Sequence, residues 1–120
     1  MQVELNRKFV FSAAHFLPMA PEGHKCLRLH GHSYDVEVAV RGPVDPETGW
    51  LLDYGAIDAA VKPVIDELDH RTLNDVTGLE NPTSENLCGW FWRRLDGRLP
   101  HLHRVSVAET CAASCHYFGD

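Results

Sequence analysis

The stretch from His24 to Val40 reads HKCLRLHGHSYDVEVAV. From Tyr34 onward it alternates. Tyr34, Val36, Val38 and Val40 take one face, and Ser33, Asp35, Glu37 and Arg41 take the other. That period of two describes a strand with one buried face. Side chains two apart on a strand point the same way, so His30 and His32 fall on the apolar face. Gly31 between them leaves room for close approach or a bulge. Cys26 stands just outside, after His24 and Lys25.

The N-terminal residues carry a second strand of the same kind. Val3, Leu5, Phe9 and Phe11 alternate with Gln2, Glu4, Lys8 and Ser12, interrupted by Arg7. His15 keeps the odd-numbered phase. If the two strands pair antiparallel, the end of the first lies beside the start of the second. His15, His30 and His32 then converge on one face. Three neutral imidazoles with an open position form the coordination set of a catalytic zinc, and imidazole suits zinc well. His101-x-His103 repeats the local spacing, but it follows Pro100 in a loop with no third histidine placed near it. We therefore read it as no metal site.

Spacing leaves Cys26 with two roles. As a fourth ligand it would close the site and make it structural. As a free thiol beside a metal-bound substrate it could act as a base, because a nearby cation favours a thiolate. Lys25 and Arg28 on the same loop could also attract an anionic substrate, or could be ordinary solvated charges.

The remaining pattern sets the architecture. Residues 16–29 form a long connection, and loops of that length are often functional. GPVDPETGW, from residue 42, is turn chemistry. Leu51-Leu52 suits a short strand or a helix entry. Ile57, Val61, Val64 and Leu68 recur at helical spacing, which predicts a helix over about 55–68, kinked or split at Pro63. A second helix opens at Thr83 or Ser84, with Glu85 in its first turn, and ends at Asp96-Gly97. A last strand covers about 103–110, with Glu109 in phase with Val105 and Val107. The order strand, strand, helix, helix, strand predicts one α+β domain over 1–120: an antiparallel sheet with both helices on one face. The other face would be wet or covered by another subunit.

Composition narrows the function. The formal charge is −6 with no long basic run, which argues against nucleic acid as a partner. No apolar run is long enough for a membrane span, and the N-terminus lacks a signal-peptide core. The four cysteines form no Cys-x-x-Cys pair, so we expect a cytosolic protein with reduced thiols. Cys88 reads as packing; Cys111 and Cys115 take no assigned geometry. Asp69-His70 could tune an acid–base imidazole or simply end a helix. A carboxylate on a protected face needs partners, so Glu109 calls either for an arginine such as Arg7 or for the N–H edge of a heterocyclic ligand. Thr83-Ser84-Glu85 is first a helix cap, whose exposed N–H groups could also hold a ligand edge.

Together, AAH ending at His15, PEGHKCLRLHGHS from Pro21, LDH ending at His70, ENPTSEN from Glu80 and ETC from Glu109 resemble the 6-pyruvoyl-tetrahydropterin synthase family. The likeness runs along nearly the whole chain in order. The resemblance implies zinc on His15, His30 and His32, with Cys26 a catalytic base working with Asp69 and His70. It implies that Glu109, helped by Thr83, Ser84 and Glu85, holds the pterin's guanidine-like edge. It implies the tunnelling fold (T-fold), a four-stranded antiparallel sheet with two helices on one side. Such subunits assemble as trimeric barrels stacked into homohexamers, with active sites between subunits. The substrate implied is 7,8-dihydroneopterin triphosphate. Three residues separate Cys26 from His30-Gly31-His32, which leans to the bacterial branch of the queuosine pathway that yields 6-carboxy-tetrahydropterin, acetaldehyde and triphosphate.

Overall fold

The structure, a computed structural model, describes residues 1–120. Two long strands, β1 (Gln2–His15) and β2 (His30–Pro43), form an antiparallel pair. Helix α1 (Tyr54–Asp66) and a two-residue strand β3 (Arg71–Thr72) follow. Helix α2 (Ser84–Leu95), β4 (Leu102–Thr110) and β5 (Ala113–Tyr117) complete the chain. The sheet order is β3-β1-β2-β4-β5. All pairs are antiparallel except β1 with β3.

The sheet thus has five strands where four were expected. β5 lies in TCAASC and the residues after it, where small and polar residues carry no clear alternation. β3 is too short to show any period. Leu51 and Leu52 form a bend, not a strand. The helix through Pro63 is neither split nor ended there. Pro63 and Ala59, whose carbonyl loses its helical donor, are both exposed, so water can satisfy that carbonyl.

Register explains the core. Phe11 lies opposite Tyr34, Phe9 opposite Val36, and Val36 and Val38 opposite Val107 and Val105. These side chains meet Ile57, Val61 and Val64 of α1 and Leu87, Phe91 and Leu95 of α2 in one buried cluster. Arg7, the odd residue in this pattern, extends to α1 and pairs with Asp58 at 2.9 Å. The opposite face is polar. Arg104 there reaches Glu37 at 2.8 Å, Asn6 at 3.0 Å and Glu4 at 3.3 Å. No helix is long and apolar enough to cross a membrane.

Candidate metal centre and adjoining pocket

The β1–β2 register sets His15 directly opposite His30, and His32 opposite Ala13. All three imidazoles therefore leave the sheet on the helix face. Their ligand atoms lie within 4.8 Å of one another, and the ring centroids are 4.6–5.0 Å apart.

Two backbone carbonyls set the tautomers. His15 Nδ1 donates to the Pro82 carbonyl at 2.9 Å, and His30 Nδ1 donates to the Arg28 carbonyl at 2.7 Å. A carbonyl can only accept, so in the neutral rings Nε2 carries the free lone pair. His15 is fully buried, and that burial holds its pKa below the ordinary 6.5. The Pro82 carbonyl and Glu109 act the other way. Nε2 of both His15 and His32 is buried without a hydrogen-bond partner. Buried nitrogens left unpaired are costly unless something binds them. Neutral, pre-aimed donors of this kind fit a zinc ion.

Glu109 stands beside the triad. Its carboxylate oxygens lie 3.7 Å from His32 Nε2 and 4.0 Å from His15 Nε2. The arginine expected as its partner is engaged elsewhere, on Asp58. Instead, Ser84 Oγ donates to Glu109 Oε1 at 3.1 Å. Of the two possible helix caps, Thr83 takes the role by accepting from the Asn86 N–H, which leaves the Ser84 hydroxyl free. Ser84, Glu85, Glu109, Ser114 and Cys115 line a pocket of about 500 Å³, within the range of small-molecule sites. Cys88, buried in α2, directs its thiol to the Cys115 carbonyl at 3.5 Å, and Cys111 is exposed at the β4–β5 turn.

Cys26 is not among the gathered ligand atoms. It sits in a 3-10 turn, Lys25–Leu27, capped by His24, whose Nδ1 accepts from the Cys26 N–H. The Cys26 carbonyl accepts from Leu17 N–H at 2.7 Å, so the long loop closes on itself beside the histidines. His101 and His103 join no cluster; His103 instead faces Glu4 at 3.5 Å.

Asp69 and His70 form a pair, with Asp69 Oδ1 3.0 Å from His70 Nδ1. Asp69 Oδ1 also accepts from the Ser12 N–H, and this bond, followed by His70, holds its pKa below the ordinary 3.8. The Ser12 carbonyl accepts from the His70 N–H at 2.6 Å, and His70 occupies the left-handed region at φ 60°. A non-glycine residue there is a strained position of the kind found at functional sites. Ser12, Ser33, His70 and Thr72 border one open cleft. Ser12 and Ser33 have the parity opposite to His15 and Tyr34, while Ala13 and His32, which line the same cleft, share the imidazole parity, so the cleft takes residues from both faces at this edge of the sheet.

Three orienting groups escaped the sequence reading: the Pro82 carbonyl, the Arg28 carbonyl and Asn74. Asn74 brackets Phe16, accepting from its N–H at 3.0 Å and donating to its carbonyl at 2.8 Å, which fixes the chain just after His15. All are long-range or backbone contacts that leave no periodic signal.

The sequence model of 6-pyruvoyl tetrahydropterin synthase matches residues 4–120. A 6-carboxy-5,6,7,8-tetrahydropterin synthase of Synechocystis is 42% identical over 118 residues, covering 93% of this chain and 90% of that protein. A dihydroneopterin monophosphate aldolase of Pyrococcus furiosus is 33% identical, covering 91% of each. The 6-pyruvoyl tetrahydropterin synthase structure from Caenorhabditis elegans superposes with a TM-score of 0.91 at 30% identity, over 100% of this chain and 97% of that one. The chain therefore belongs to the 6-pyruvoyl tetrahydropterin synthase family of enzymes.

Proposed function

We propose that the chain is a zinc-dependent lyase that converts 7,8-dihydroneopterin triphosphate and one water to 6-carboxy-5,6,7,8-tetrahydropterin, acetaldehyde and triphosphate. This is a step of 7-deazapurine (queuosine) biosynthesis. The observation that carries the reading is the convergence of the His15, His30 and His32 donor atoms beside the Ser84–Glu109 pair, at the mouth of a pocket large enough for a pterin. The Synechocystis relative and the three-residue gap between Cys26 and His30 favour the 6-carboxy branch.

His15, His30 and His32 would hold the zinc. When bound, zinc supplies a Lewis acid for oxygens of the substrate side chain. The chain's own residues do the rest. Glu109 accepts the N–H groups of the heterocycle's guanidine-like edge, steadied by Ser84, with Thr83 and Glu85 completing the wall. Cys26, outside the ligand set, takes a proton from the side-chain carbon next to the ring. His70, oriented by Asp69, returns protons as the triphosphate leaves and the two-carbon fragment departs. Within one chain the Asp69–His70 pair is tied to the Ser12 backbone and stands outside the cluster of imidazole nitrogens. In this reading the active sites are shared between subunits of a cytoplasmic homohexamer, a dimer of trimers.

The test is a product assay. Zinc-loaded protein is incubated with 7,8-dihydroneopterin triphosphate, aldehyde is trapped, and products are identified by mass spectrometry. Acetaldehyde with 6-carboxy-tetrahydropterin is expected. A 6-pyruvoyl product without acetaldehyde would overturn the branch. No turnover by an intact zinc-loaded assembly would point to a zinc-binding module instead of an enzyme.

A further inference from the structure

Tyr34 is the one residue of the site's floor to which neither the zinc set nor the proton-transfer set gives a task. Its side chain is fully buried, and its hydroxyl has no hydrogen-bond partner. A phenol is a good donor, and a buried donor without an acceptor is destabilising. Phenylalanine would fill the same space without that penalty.

The ring cannot turn away to find a partner. One face stacks on Phe11 at 4.9 Å, nearly parallel. The imidazoles of His15 and His32 stand perpendicular to it at 5.7 and 5.5 Å. Three acceptors lie in this neighbourhood. Two are the Nε2 atoms of His15 and His32, which the zinc would occupy. The third is Glu109. β2 and β4 pair Val36 with Val107 and Asp35 with Ala108. One step further, the same register brings Tyr34 beside Glu109, and both side chains leave the sheet on the helix face. Ser84 holds only Oε1 of that carboxylate, so Oε2 has no fixed donor.

Building on the pterin-binding reading above, we infer that Tyr34 is a positioning residue for Glu109. Its hydroxyl, which makes no direct bond to the carboxylate, reaches it through one water and with Ser84 fixes the carboxylate plane toward the heterocycle. A carboxylate held from two sides meets a planar N–H pair without losing torsional freedom on binding, which favours affinity. The effect belongs to ligand binding and not to the proton-transfer steps.

The test uses Tyr34→Phe, which removes one oxygen and keeps the stacked ring. Zinc-loaded variants are titrated calorimetrically with 7,8-dihydroneopterin, and KM and kcat are measured with the triphosphate. Tyr34→Phe is expected to weaken pterin binding and raise KM about tenfold, with kcat within about twofold, zinc content intact and thermal stability unchanged or raised. In Glu109→Gln, adding Tyr34→Phe is expected to change binding little, because the hydroxyl acts through that carboxylate. Undiminished binding by Tyr34→Phe, additive losses in the double variant, or loss of zinc would each overturn the role. Failure of the unsubstituted protein to bind any pterin would instead overturn the functional reading on which the role depends.

Discussion

Replacing Glu109 by glutamine separates the ligand-binding reading of this carboxylate from a structural one. The substitution keeps shape and one acceptor while removing a charge. Ser84 can still donate to the remaining oxygen, as it does now at 3.1 Å. The new amide NH2 then faces the heterocycle, a donor opposed to a donor. At least one charge-assisted hydrogen bond is lost, worth about 1.5–3 kcal/mol. At about 1.4 kcal/mol per decade, the pterin dissociation constant should rise roughly 10- to 100-fold. Stability should hardly move. Glu109 has no lysine or arginine within 4.0 Å, only His15 and His32, so no strong ion pair is lost and a change within about 0.5 kcal/mol is expected. Calorimetric titration with 7,8-dihydroneopterin, thermal unfolding and zinc content together decide the matter. Unchanged affinity in a folded, zinc-loaded variant would refute the reasoning. Loss of zinc would make Glu109 a fourth ligand, and failure to fold would make it a structural residue.

Four further outcomes follow from the same geometry. Cys26→Ala should retain zinc, because the thiol lies outside the ligand cluster, yet lose about 10²–10⁴-fold in turnover, as expected for a general base; metal analysis beside the product assay checks this, and zinc loss would restore the closed site. His15→Ala should lose zinc and destabilise the metal-free protein by about 2–4 kcal/mol, since it empties a fully buried position and orphans the Pro82 carbonyl; urea unfolding measures it. The Asp69 carboxyl is held below its ordinary 3.8 chiefly by the Ser12 N–H, so its stabilising effect is complete above about pH 4 and is lost as pH falls through the lowered value. Asp69→Asn should therefore flatten the acid limb of stability, and an unaltered limb in urea melts at about pH 5 and pH 3 would contradict the assignment. Finally, Cys26→Ala and His70→Ala, each inactive alone, should regain activity when unfolded together and reassembled; no recovery from well-formed mixed assemblies would place both groups in one chain's site.

What the sequence disclosed here, it disclosed through parity. Two long strands with clean alternation pair without slippage, since a one-residue slip would expose Phe11, Tyr34 and Val36. The meeting of His15, His30 and His32 follows from that register with no knowledge of the loops. α1 and α2 were legible for a similar reason, because Ile57, Val61 and Val64, and Leu87, Phe91 and Leu95, recur at helical spacing. β5 was not legible because Ala113, Ser114 and Cys115 bury too little to alternate. The carbonyls orienting His15 and His30 were hidden for a different reason. Backbone groups have no residue identity, and only the folded chain brings Pro82 to His15. Arg7 shows the limit of charge-pairing by eye. Its phase is shared with Glu109 through the sheet, yet α1 supplies the nearer carboxylate in Asp58.

Parity also bears on assembly. Residues 12 and 15 of one strand differ in phase, so the backbone that aims His15 at the helix face aims the Ser12 side chain at the other. Bending or side-chain rotation cannot reverse this, because five paired strands fix which side each residue takes. The Asp69–His70 pair is tied to Ser12 by two hydrogen bonds, to its N–H and from its carbonyl, so it cannot swing around the sheet edge without breaking both. Under the proposed function, a proton relay joining Cys26 to His70 would draw its two halves from different copies. The free edge of β5 and the short, open edge at β3 leave backbone groups for such a neighbour, which would also cover the polar face around Arg104 that the two helices leave bare.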